Sequence, residues 1–289
     1  MRFIAFRNIQ GQAALGVRVG NGLVDITALG LASTLDELLR QGDSGMRAVQ
    51  DAVARATDRR PIEGLSLLAP VQNPSKAFAI GLNYVDHAAE SKFDLPKNPV
   101  IFQRFPSSWV AHGEPLIRPK VSRQFDYEAE LVAVIGKAGR YIPKERALEH
   151  VAGYSLFNDG SIRDYQVRSA QWLWGKNFDQ SGSFGPEFVT ADELPPGAAG
   201  LQIQFRLNGE VLQNANTKDM IFDVATLVAA CSEGMTLQPG DIIITGTPSG
   251  VGLARNPQVW MKDGDVCEVE VESIGVLRNS VVDEPAIDR

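Results

Sequence analysis

Several features that define other protein classes are scarce in this sequence. It has two cysteines, Cys231 and Cys267, which lie far apart and form no CxxC or zinc-type spacing. We therefore expect no disulfide framework, and a reducing cytoplasm is the expected location. It has three histidines, His87, His112 and His150, and no HExxH motif. A zinc site built from imidazoles is therefore not expected.

An excess of positive charge and long apolar runs are missing as well. Lys+Arg 28 against Asp+Glu 35 gives a net charge of −7, and no basic stretch is dense enough for phosphate backbones, so we expect no nucleic-acid partner. The longest apolar runs, such as residues 131–136, have the length of a strand, so we expect no membrane partner. Residues 1–12 contain too short an apolar run for a signal peptide, and none is expected.

The sequence divides into two parts by pattern. Residues 1–66 predict a small N-terminal α/β module, with a strand at residues 2–9, a hairpin turn at residues 20–22 and a helix capped by Thr34. The polar residues 57–63 are the candidate linker. From residue 67 to residue 289 many short strands are separated by Gly and Pro, with few helices. The prediction is a β-rich α+β fold with mixed sheets.

An acidic cluster precedes one apolar strand. Asp126, Glu128 and Glu130 alternate along the chain, and alternate residues of a strand share one face. Carboxylates so close repel one another unless protons or a cation intervene, and a hard dication prefers such oxygen ligands. A solvated strand face is the alternative. Asp159, which follows another apolar stretch, could complete a three-carboxylate site.

Two further segments carry candidate chemistry. His87 and Glu90 are three residues apart on a predicted helix, where a carboxylate can orient an imidazole for proton transfer. An ordinary surface pair is the alternative. Residues 239–252 form a turn, an apolar strand and a glycine-rich loop without the Gly-Lys-Ser/Thr of a P-loop. Backbone N–H groups and the Thr247 hydroxyl could bind a carboxylate there, or the loop could be a plain turn.

Taken together, the motifs resemble those of the fumarylacetoacetate hydrolase family. They occur in the family's order and cover about residues 70–255. The matching segments are GLNYVDHAAE at 81–90, DYEAE at 126–130, FNDGSIRDYQ at 157–166, GKNFD at 175–179 and SEGMTLQPGDIIITGTPSGVG at 232–252.

The resemblance implies a fold and a set of roles. The fold would be a β-rich roll of mixed sheets in a homodimer, with an extra N-terminal module. Mg²⁺ or Mn²⁺ would be bound by Glu128, Glu130 and Asp159. His87 and Glu90 would activate water, with Lys176 and Gln166 steadying enolate charge and orienting water or substrate. The substrate side would include Tyr84, Arg163, Thr247 and Arg104.

One segment departs from the family pattern. Arg104-Phe105 stands where the family has Lys-Pro, and arginine binds a carboxylate as a fork whereas lysine is a point charge. We therefore expect a different substrate shape. Arg163 could be structural instead of substrate-binding. A mobile lid is expected at residues 93–96.

The family resemblance leads to one reaction and leaves others open. The leading hypothesis is metal-dependent hydrolysis of a C–C bond in an acylpyruvate-like 1,3-diketo acid. The same site would support oxaloacetate decarboxylation, or isomerisation and tautomerisation of a 2-hydroxy-dienoate, because enolate stabilisation is common to them. A non-catalytic small-acid-binding protein is the alternative of another class. The keto acid could come from aromatic degradation or from central metabolism.

Overall fold

Short β-strands dominate the secondary structure. The structure is a computed structural model that describes residues 1–90 and 95–285. The strands in that part of the chain are β1 Arg2–Arg7, β2 Ala13–Val19, β3 Gly22–Asp25, β4 Arg60–Pro61, β5 Ala77–Gly81, β6 Val100–Gln103, β7 Trp109–Val110, β8 Leu116–Arg118, β9 Phe125–Asp126, β10 Ala129–Ile135, β11 Val151–Asn158, β12 Ser161–Ile162, β13 Gly182–Thr190, β14 Gln202–Leu207, β15 Glu210–Asn216, β16 Ile242–Ile244, β17 Val266–Val271 and β18 Gly275–Asp283.

The helices are few and mostly short. The α-helices are α1 Leu35–Arg40, α2 Gly42–Arg55, α3 Val85–Glu90, α4 Arg163–Gln166, α5 Leu173–Lys176 and α6 Val224–Gly234. Short 3₁₀ turns lie between the strands at Pro106–Ser108, Lys144–His150, Ala191–Glu193, Pro196–Ala198, Thr217–Asp219 and Gly252–Ala254. Across residues 1–90 and 95–285, no helix is both long and apolar enough to cross a membrane.

Two mixed sheets form the body of the protein. The larger one has the order β4-β3-β2-β1-β13-β11-β10-β16-β5-β6, with β7 paired to β13. The smaller one has the order β15-β14-β17-β18-β8, and β9 pairs separately with β12. Both parallel and antiparallel pairs occur in each sheet. The predicted β-rich α+β fold with mixed sheets is confirmed.

Strand β10 lies at the centre of the larger sheet and is buried on both faces. Leu131, Ala133 and Ile135 belong to the core cluster that β14, β17 and β18 also form. Val132 and Val134 face the other way, into a cluster shared with β1, α1 and β16. This two-sided burial explains why the sequence of β10 is continuously apolar instead of alternating.

The N-terminal strands continue the larger sheet. Arg2 and Phe3 of β1 pair with Val189 and Phe188 of β13. The predicted hairpin is present as β2 and β3, and Thr34 caps α1 by accepting a hydrogen bond from the Glu37 N–H at 3.2 Å. The division into residues 1–66 and 67–289 stays a prediction.

The predicted linker at residues 57–63 is wrong in part. Arg60 and Pro61 form β4, which pairs with Gly22 and Leu23 of β3. The Arg60 guanidinium also donates to Asp25 Oδ2 at 2.8 Å. The segment therefore contains an edge strand of the larger sheet. Its polar composition alone does not predict this strand.

Candidate metal and active site

The parallel pair β5 and β16 brings two predicted motifs together. Because parallel strands end at the same edge of a sheet, α3 after β5 and the glycine-rich loop after β16 lie side by side. The Asn83 amide fixes this arrangement by donating to the Thr245 carbonyl at 2.7 Å and the Phe222 carbonyl at 3.0 Å. Gly246 has φ +99°, a left-handed conformation that favours glycine, and a side chain there would press against Asn83.

Glu128, Glu130 and Asp159 meet as a buried triad. One carboxylate oxygen from each lies within 4.8 Å of the others. Glu130 is on β10, Glu128 immediately precedes this strand, and Asp159 follows β11, the antiparallel neighbour of β10. The Asp159 N–H donates to the Glu128 carbonyl at 2.9 Å, so the two strands fix the spacing of the triad through their backbones.

Asp126 does not join the triad, contrary to the predicted shared face. The extended strand is interrupted at Tyr127 and Glu128, between β9 and β10, so the alternation is lost. The Asp126 carboxylate turns to the glycine-rich loop instead and accepts from the Gly252 N–H at 2.7 Å and the Leu253 N–H at 3.0 Å. It also binds Arg163 Nε at 2.7 Å.

Three buried cations surround the carboxylates. The Lys176 ammonium donates to Glu128 at 2.7 Å and to Asp159 at 2.6 Å. The Arg163 guanidinium contacts Glu128 at 2.8 Å and Gln166 Oε1 at 2.9 Å, while its Nη2 is buried with no partner in the described part of the chain. The Arg104 guanidinium binds Asp159 at 2.7 Å.

The predicted role of Arg104 in substrate binding does not fit its position. Its side chain is fully buried, and it also donates to the Gly160 carbonyl at 3.0 Å and the Ser108 carbonyl at 3.0 Å. It lies behind Asp159 and does not line the cavity described below. Burial lowers the pKa of Arg104, although Asp159 opposes that shift. The geometry therefore assigns Arg104 to holding Asp159.

The charges of the site do not balance within the protein. Four buried carboxylates (Asp126, Glu128, Glu130 and Asp159) face the three buried cations Arg104, Arg163 and Lys176. Burial disfavours the ionised form of Glu128, yet Lys176 and Arg163 lower its pKa to about 2. Burial and the neighbouring Asp159 and Glu128 instead raise the pKa of Glu130 well above its ordinary value. Among the residues that the structure describes, Glu130 is the one of the four carboxylates that makes no ion pair with a cation.

A divalent cation fits this group of residues. The triad supplies hard, anionic oxygen atoms, which suit Mg²⁺ or Mn²⁺ and not a soft metal. The uncompensated charge of Glu130 requires either a proton or a cation. Its Oε2 accepts from the Gly246 N–H at 2.5 Å, so backbone geometry holds the carboxylate in place for a metal.

His87 and Glu90 form a dyad at the end of α3. His87 Nδ1 lies 2.9 Å from Glu90 Oε1, and His87 is buried. The Gly250 N–H donates to both Glu90 oxygens, at 3.1 and 3.0 Å. With Nδ1 protonated toward Glu90, the other ring nitrogen, Nε2, is free to accept or give a proton.

The glycine-rich loop binds carboxylates of the protein itself. Its N–H groups at Gly246, Gly250 and Gly252 are taken by Glu130, Glu90 and Asp126. The prediction that the N–H groups of this loop bind a substrate carboxylate is therefore wrong for these positions, because they are already paired. Thr247 lines the cavity, and its predicted contact with the substrate stays a prediction.

A cavity of about 210 Å³ joins these residues. Its polar wall contains most of the predicted catalytic and substrate-binding residues, namely His87, Glu90, Glu128, Arg163, Gln166, Lys176 and Thr247. Its apolar wall is formed by Ile80, Gly81, Leu82, Phe102, Val167, Trp172, Val251, Leu253 and Ala254. The roles assigned from the sequence stay predictions, but these side chains share one cavity.

Two predicted features lie elsewhere. Tyr84 does not line this cavity but an adjacent one with Asp86 and Asp219, and burial raises its pKa. Its predicted contact with substrate therefore does not fit this position. The lid expected at residues 93–96 falls partly on Phe93 and Asp94, which lie outside the described residues.

Sequence reasoning missed residues that act through backbone contacts. Asn158 accepts from the Glu128 N–H at 3.1 Å, and Gln213 accepts from the Ala129 N–H at 2.9 Å. Asn158 could have been noticed from the Asn-Asp pair that it forms with Asp159. Gln213 lies in an unremarkable strand, and nothing in its local sequence marks it.

Known proteins share both the sequence and the fold. A family model described as fumarylacetoacetate (FAA) hydrolase C-terminal matches residues 76–282. The mitochondrial oxaloacetate tautomerase of Xenopus laevis is 39% identical over 289 residues, covering 98% of this chain and 90% of that protein. The fumarylacetoacetate hydrolase of Exiguobacterium antarcticum has a TM-score of 0.84 at 36% identity, covering 98% of this chain and 100% of the other.

A further solved structure is that of a maleylpyruvate hydrolase from Sphingobium sp. SYK-6 with manganese(II) and pyruvate. It has a TM-score of 0.84 at 30% identity and covers 99% of this chain and 100% of its own. The chain belongs to the fumarylacetoacetate hydrolase family. The matched proteins are named as a tautomerase and hydrolases, so this is a family of enzymes, and the predicted resemblance is confirmed.

The predicted cytoplasmic location is wrong. Relatives about 40% identical to the chain are named as mitochondrial proteins. The prediction rested on Cys231 and Cys267, which are both free and buried. Unpaired cysteines indicate only that no disulfide framework is needed, and they do not separate one cellular compartment from another.

Proposed function

We propose that this protein is a divalent-metal-dependent tautomerase that interconverts the enol and keto forms of oxaloacetate or a similar 2-keto acid. The observation that carries the proposal is the single cavity in which the His87–Glu90 dyad faces Glu128 of the carboxylate triad. Such a site combines a proton carrier with a metal position, as enol chemistry requires. The similarity to an oxaloacetate tautomerase supports this choice of substrate.

The polar wall suits the acid end of such a substrate. Arg163 lines the cavity, so its guanidinium would attract a carboxylate bound there. Gln166 Oε1 is occupied by Arg163, which leaves the Gln166 amide hydrogens to donate into the cavity. Glu128, Glu130 and Asp159 would hold Mg²⁺ or Mn²⁺, which when bound would polarise the keto oxygen.

His87 would carry the proton. In the enol-to-keto direction the C2 hydroxyl loses its proton to solvent, and C3 gains one from His87 Nε2. Glu90 stabilises the imidazolium that gives this proton, since it accepts from Nδ1 at 2.9 Å. Lys176 lines the same cavity and places a positive charge near the oxygen on which negative charge develops.

The proposal is tested by following the ultraviolet absorbance of enol-oxaloacetate with metal-stripped protein. We expect decay above the spontaneous rate only after Mg²⁺ or Mn²⁺ is added. His87→Asn should lower the rate by roughly 100-fold, because proton transfer by a positioned side chain contributes about that much. His112→Asn, which changes a histidine outside the cavity, is the matched control and should leave the rate unchanged. Equal decay with and without enzyme would contradict the proposal.

Hydrolysis of a C–C bond in an acylpyruvate is the second candidate. The apolar wall of the cavity favours it, because oxaloacetate has no apolar tail to place against Phe102 and Trp172. His87, oriented by Glu90, would then deprotonate an attacking water. Product analysis by NMR separates the two reactions. Release of pyruvate and a second acid from an acylpyruvate would establish hydrolysis, whereas a changed enol-to-keto ratio without cleavage would leave tautomerisation alone.

A further inference from the structure

Gln213 lies behind the cavity wall and joins two of its parts. Its side chain is buried, and its carbonyl oxygen accepts from the Ala129 N–H at 2.9 Å. Its amide nitrogen donates to Thr247 Oγ1 at 2.8 Å and to the Pro248 carbonyl at 2.8 Å. Ala129 stands between Glu128 and Glu130. Gln213 therefore connects β10, which carries Glu130, to the loop that carries Thr247.

These partners fix the direction of the amide. The Ala129 N–H can only donate and the Pro248 carbonyl can only accept, so the amide oxygen and nitrogen of Gln213 cannot exchange places. Thr247 Oγ1 must then accept the hydrogen bond from Gln213. Its own hydrogen points elsewhere, and the described residues give it no acceptor. Because Thr247 lines the cavity, this hydrogen is available to a bound ligand.

A β-bulge places Gln213 in this position. Phe205 pairs with Gln213 and Arg206 with Val211, so the register of β14 and β15 shifts at Leu212. Leu212 and Gln213 are consequently both buried, against the ordinary alternation of a strand. Bulges are common next to active sites, where they re-aim a side chain.

We propose that Gln213 is a positioning residue that turns the Thr247 hydroxyl hydrogen into the cavity, toward the carboxylate of a bound 2-keto acid. The inference rests on the proposed function for the class of ligand. Without Gln213 the Thr247 hydroxyl could donate to the Pro248 carbonyl, which then lacks its partner. Gln213 thus acts on the ligand only through Thr247.

A double-mutant cycle tests the coupling. The readout is the Kd of pyruvate measured by calorimetry on the Mn²⁺-loaded protein, for wild type, Gln213→Met, Thr247→Val and the double variant. We expect Thr247→Val to raise the Kd roughly tenfold, the size of a hydrogen bond to a charged group, and Gln213→Met about fivefold. The double variant should bind no more weakly than Thr247→Val. The Mn²⁺ affinity of Gln213→Met should stay within about twofold of wild type.

Asn279→Leu is the matched control, because this buried side chain also donates to two backbone carbonyls, those of Ala111 and Glu114. It should lower stability without changing the Kd. If Gln213→Met does not fold, Gln213→Asn, one methylene shorter but still polar, takes its place in the cycle. If the fold-changes in Kd of the two single variants multiply in the double variant, the two residues act independently and the inference is overturned. An unchanged Kd in the Gln213 variant would overturn it as well.

The same data separate this inference from the proposed function. In one outcome, the Gln213 and Thr247 variants show coupled losses of pyruvate binding, but the wild-type protein does not turn over enol-oxaloacetate. This result would support the role of Gln213 and reject the proposed tautomerase activity. In the opposite outcome, wild type turns over enol-oxaloacetate, but the effects of the two residues on the Kd of pyruvate are independent. This result would support the tautomerase activity and reject the role of Gln213. No pyruvate binding by the Mn²⁺-loaded wild-type protein would overturn the inference as well.

Discussion

Individual side chains around the triad take roles that their sequence positions only partly reveal. Asp126 and Glu128 are two residues apart, yet Asp126 binds the loop and Arg163 while Glu128 faces the cavity. Arg104 supports Asp159 instead of reaching the cavity. An ionised side chain in the protein interior needs a partner of opposite charge or hydrogen-bond donors. The partners of each carboxylate therefore decide whether it faces the candidate metal position or, like Asp126, another part of the protein.

Trp172 limits the apolar end of the cavity. Its ring lies over Gly81, where any side chain would overlap it, and meets Phe102 edge-on with ring centroids 5.8 Å apart. Trp172→Ala should therefore raise the kcat/KM for 2-keto acids with longer apolar tails, relative to the kcat/KM for short-chain 2-keto acids, by roughly tenfold. A series of keto acids of increasing chain length measures the effect.

The control for this prediction is Trp174→Ala. Trp174 is 60% exposed and packs edge-on against Tyr165 without lining the cavity. Its loss should leave the chain-length preference unchanged. A Trp172 variant with the preference of wild type would show that this ring does not contact the substrate.

The candidate residues were predictable where chemistry and spacing coincide. Glu128, Glu130 and Asp159 are predicted as a metal site because two carboxylates at alternate positions precede one apolar strand and a third follows another, and the family motifs identify His87 and Lys176. Tyr84 and Arg104 were misplaced because the direction of a side chain depends on the packing around it. Gln213 was missed because its role arises from a bulge, which no local pattern indicates.

The glycine-rich loop after β16 holds several elements of the site in place. Gly250 has φ +100°, its N–H binds Glu90, and a Cβ there would overlap the Leu212 carbonyl. Leu212 is the bulged residue of β15, and its carbonyl also accepts from Arg255. The loop and the bulge therefore fit together only when residue 250 has no side chain.

Gly250→Ala should consequently reduce both stability and activity. The overlap of the new Cβ with the Leu212 carbonyl adds about 2 kcal/mol or more to the free-energy cost of a positive φ, and the Tm should fall by roughly 5 °C. The altered loop should also misplace Glu90 and so reduce kcat. Thermal melts and initial rates check both effects. Gly209→Ala is the matched control, since Gly209 has φ +85° but open space around it. Equal losses in the two variants would reject the role of the overlap.

Elements were predicted best where local signals are strong. The β2–β3 hairpin, the Thr34 cap and the central strand β10 follow from turn residues, a capping side chain and an apolar run. The break before Ala129 accompanies the pairing of β9 with β12, a contact between segments distant in sequence that no local pattern indicates.

Across the whole molecule, the larger sheet joins the N-terminal strands to the strands around the triad. Beyond the pairing of β1 with β13, Glu187 of β13 binds Arg2 at 2.8 Å and Arg18 at 2.7 Å. Phe3 and Leu35 share a core cluster with Val132 and Ile244. Residues 1–66 therefore share most of their core with the rest of the chain, beside a small cluster of their own formed by Ile4, Phe6, Ala14 and Leu23. The predicted homodimer stays a prediction.

This shared core predicts a single unfolding transition. Differential scanning calorimetry should show one peak whose calorimetric and van't Hoff enthalpies agree. Glu187→Ala should move the whole peak to lower temperature without splitting it, because both parts unfold together. Two peaks, with only the lower one shifted by the substitution, would show that the N-terminal module folds independently.

We expect the buried triad to bind one divalent cation. Calorimetric titration of the metal-stripped protein with Mn²⁺ tests it most directly, with Glu130→Gln as the variant and Glu187→Gln as the control outside the triad. Loss of a direct ligand should weaken binding by roughly 100-fold or more, since even supporting residues cost about 10–100-fold. We expect one Mn²⁺ per chain for wild type and the control, and greatly weakened binding for Glu130→Gln. Absence of Mn²⁺ binding in wild type, or equal affinity in the Glu130 variant, would contradict it.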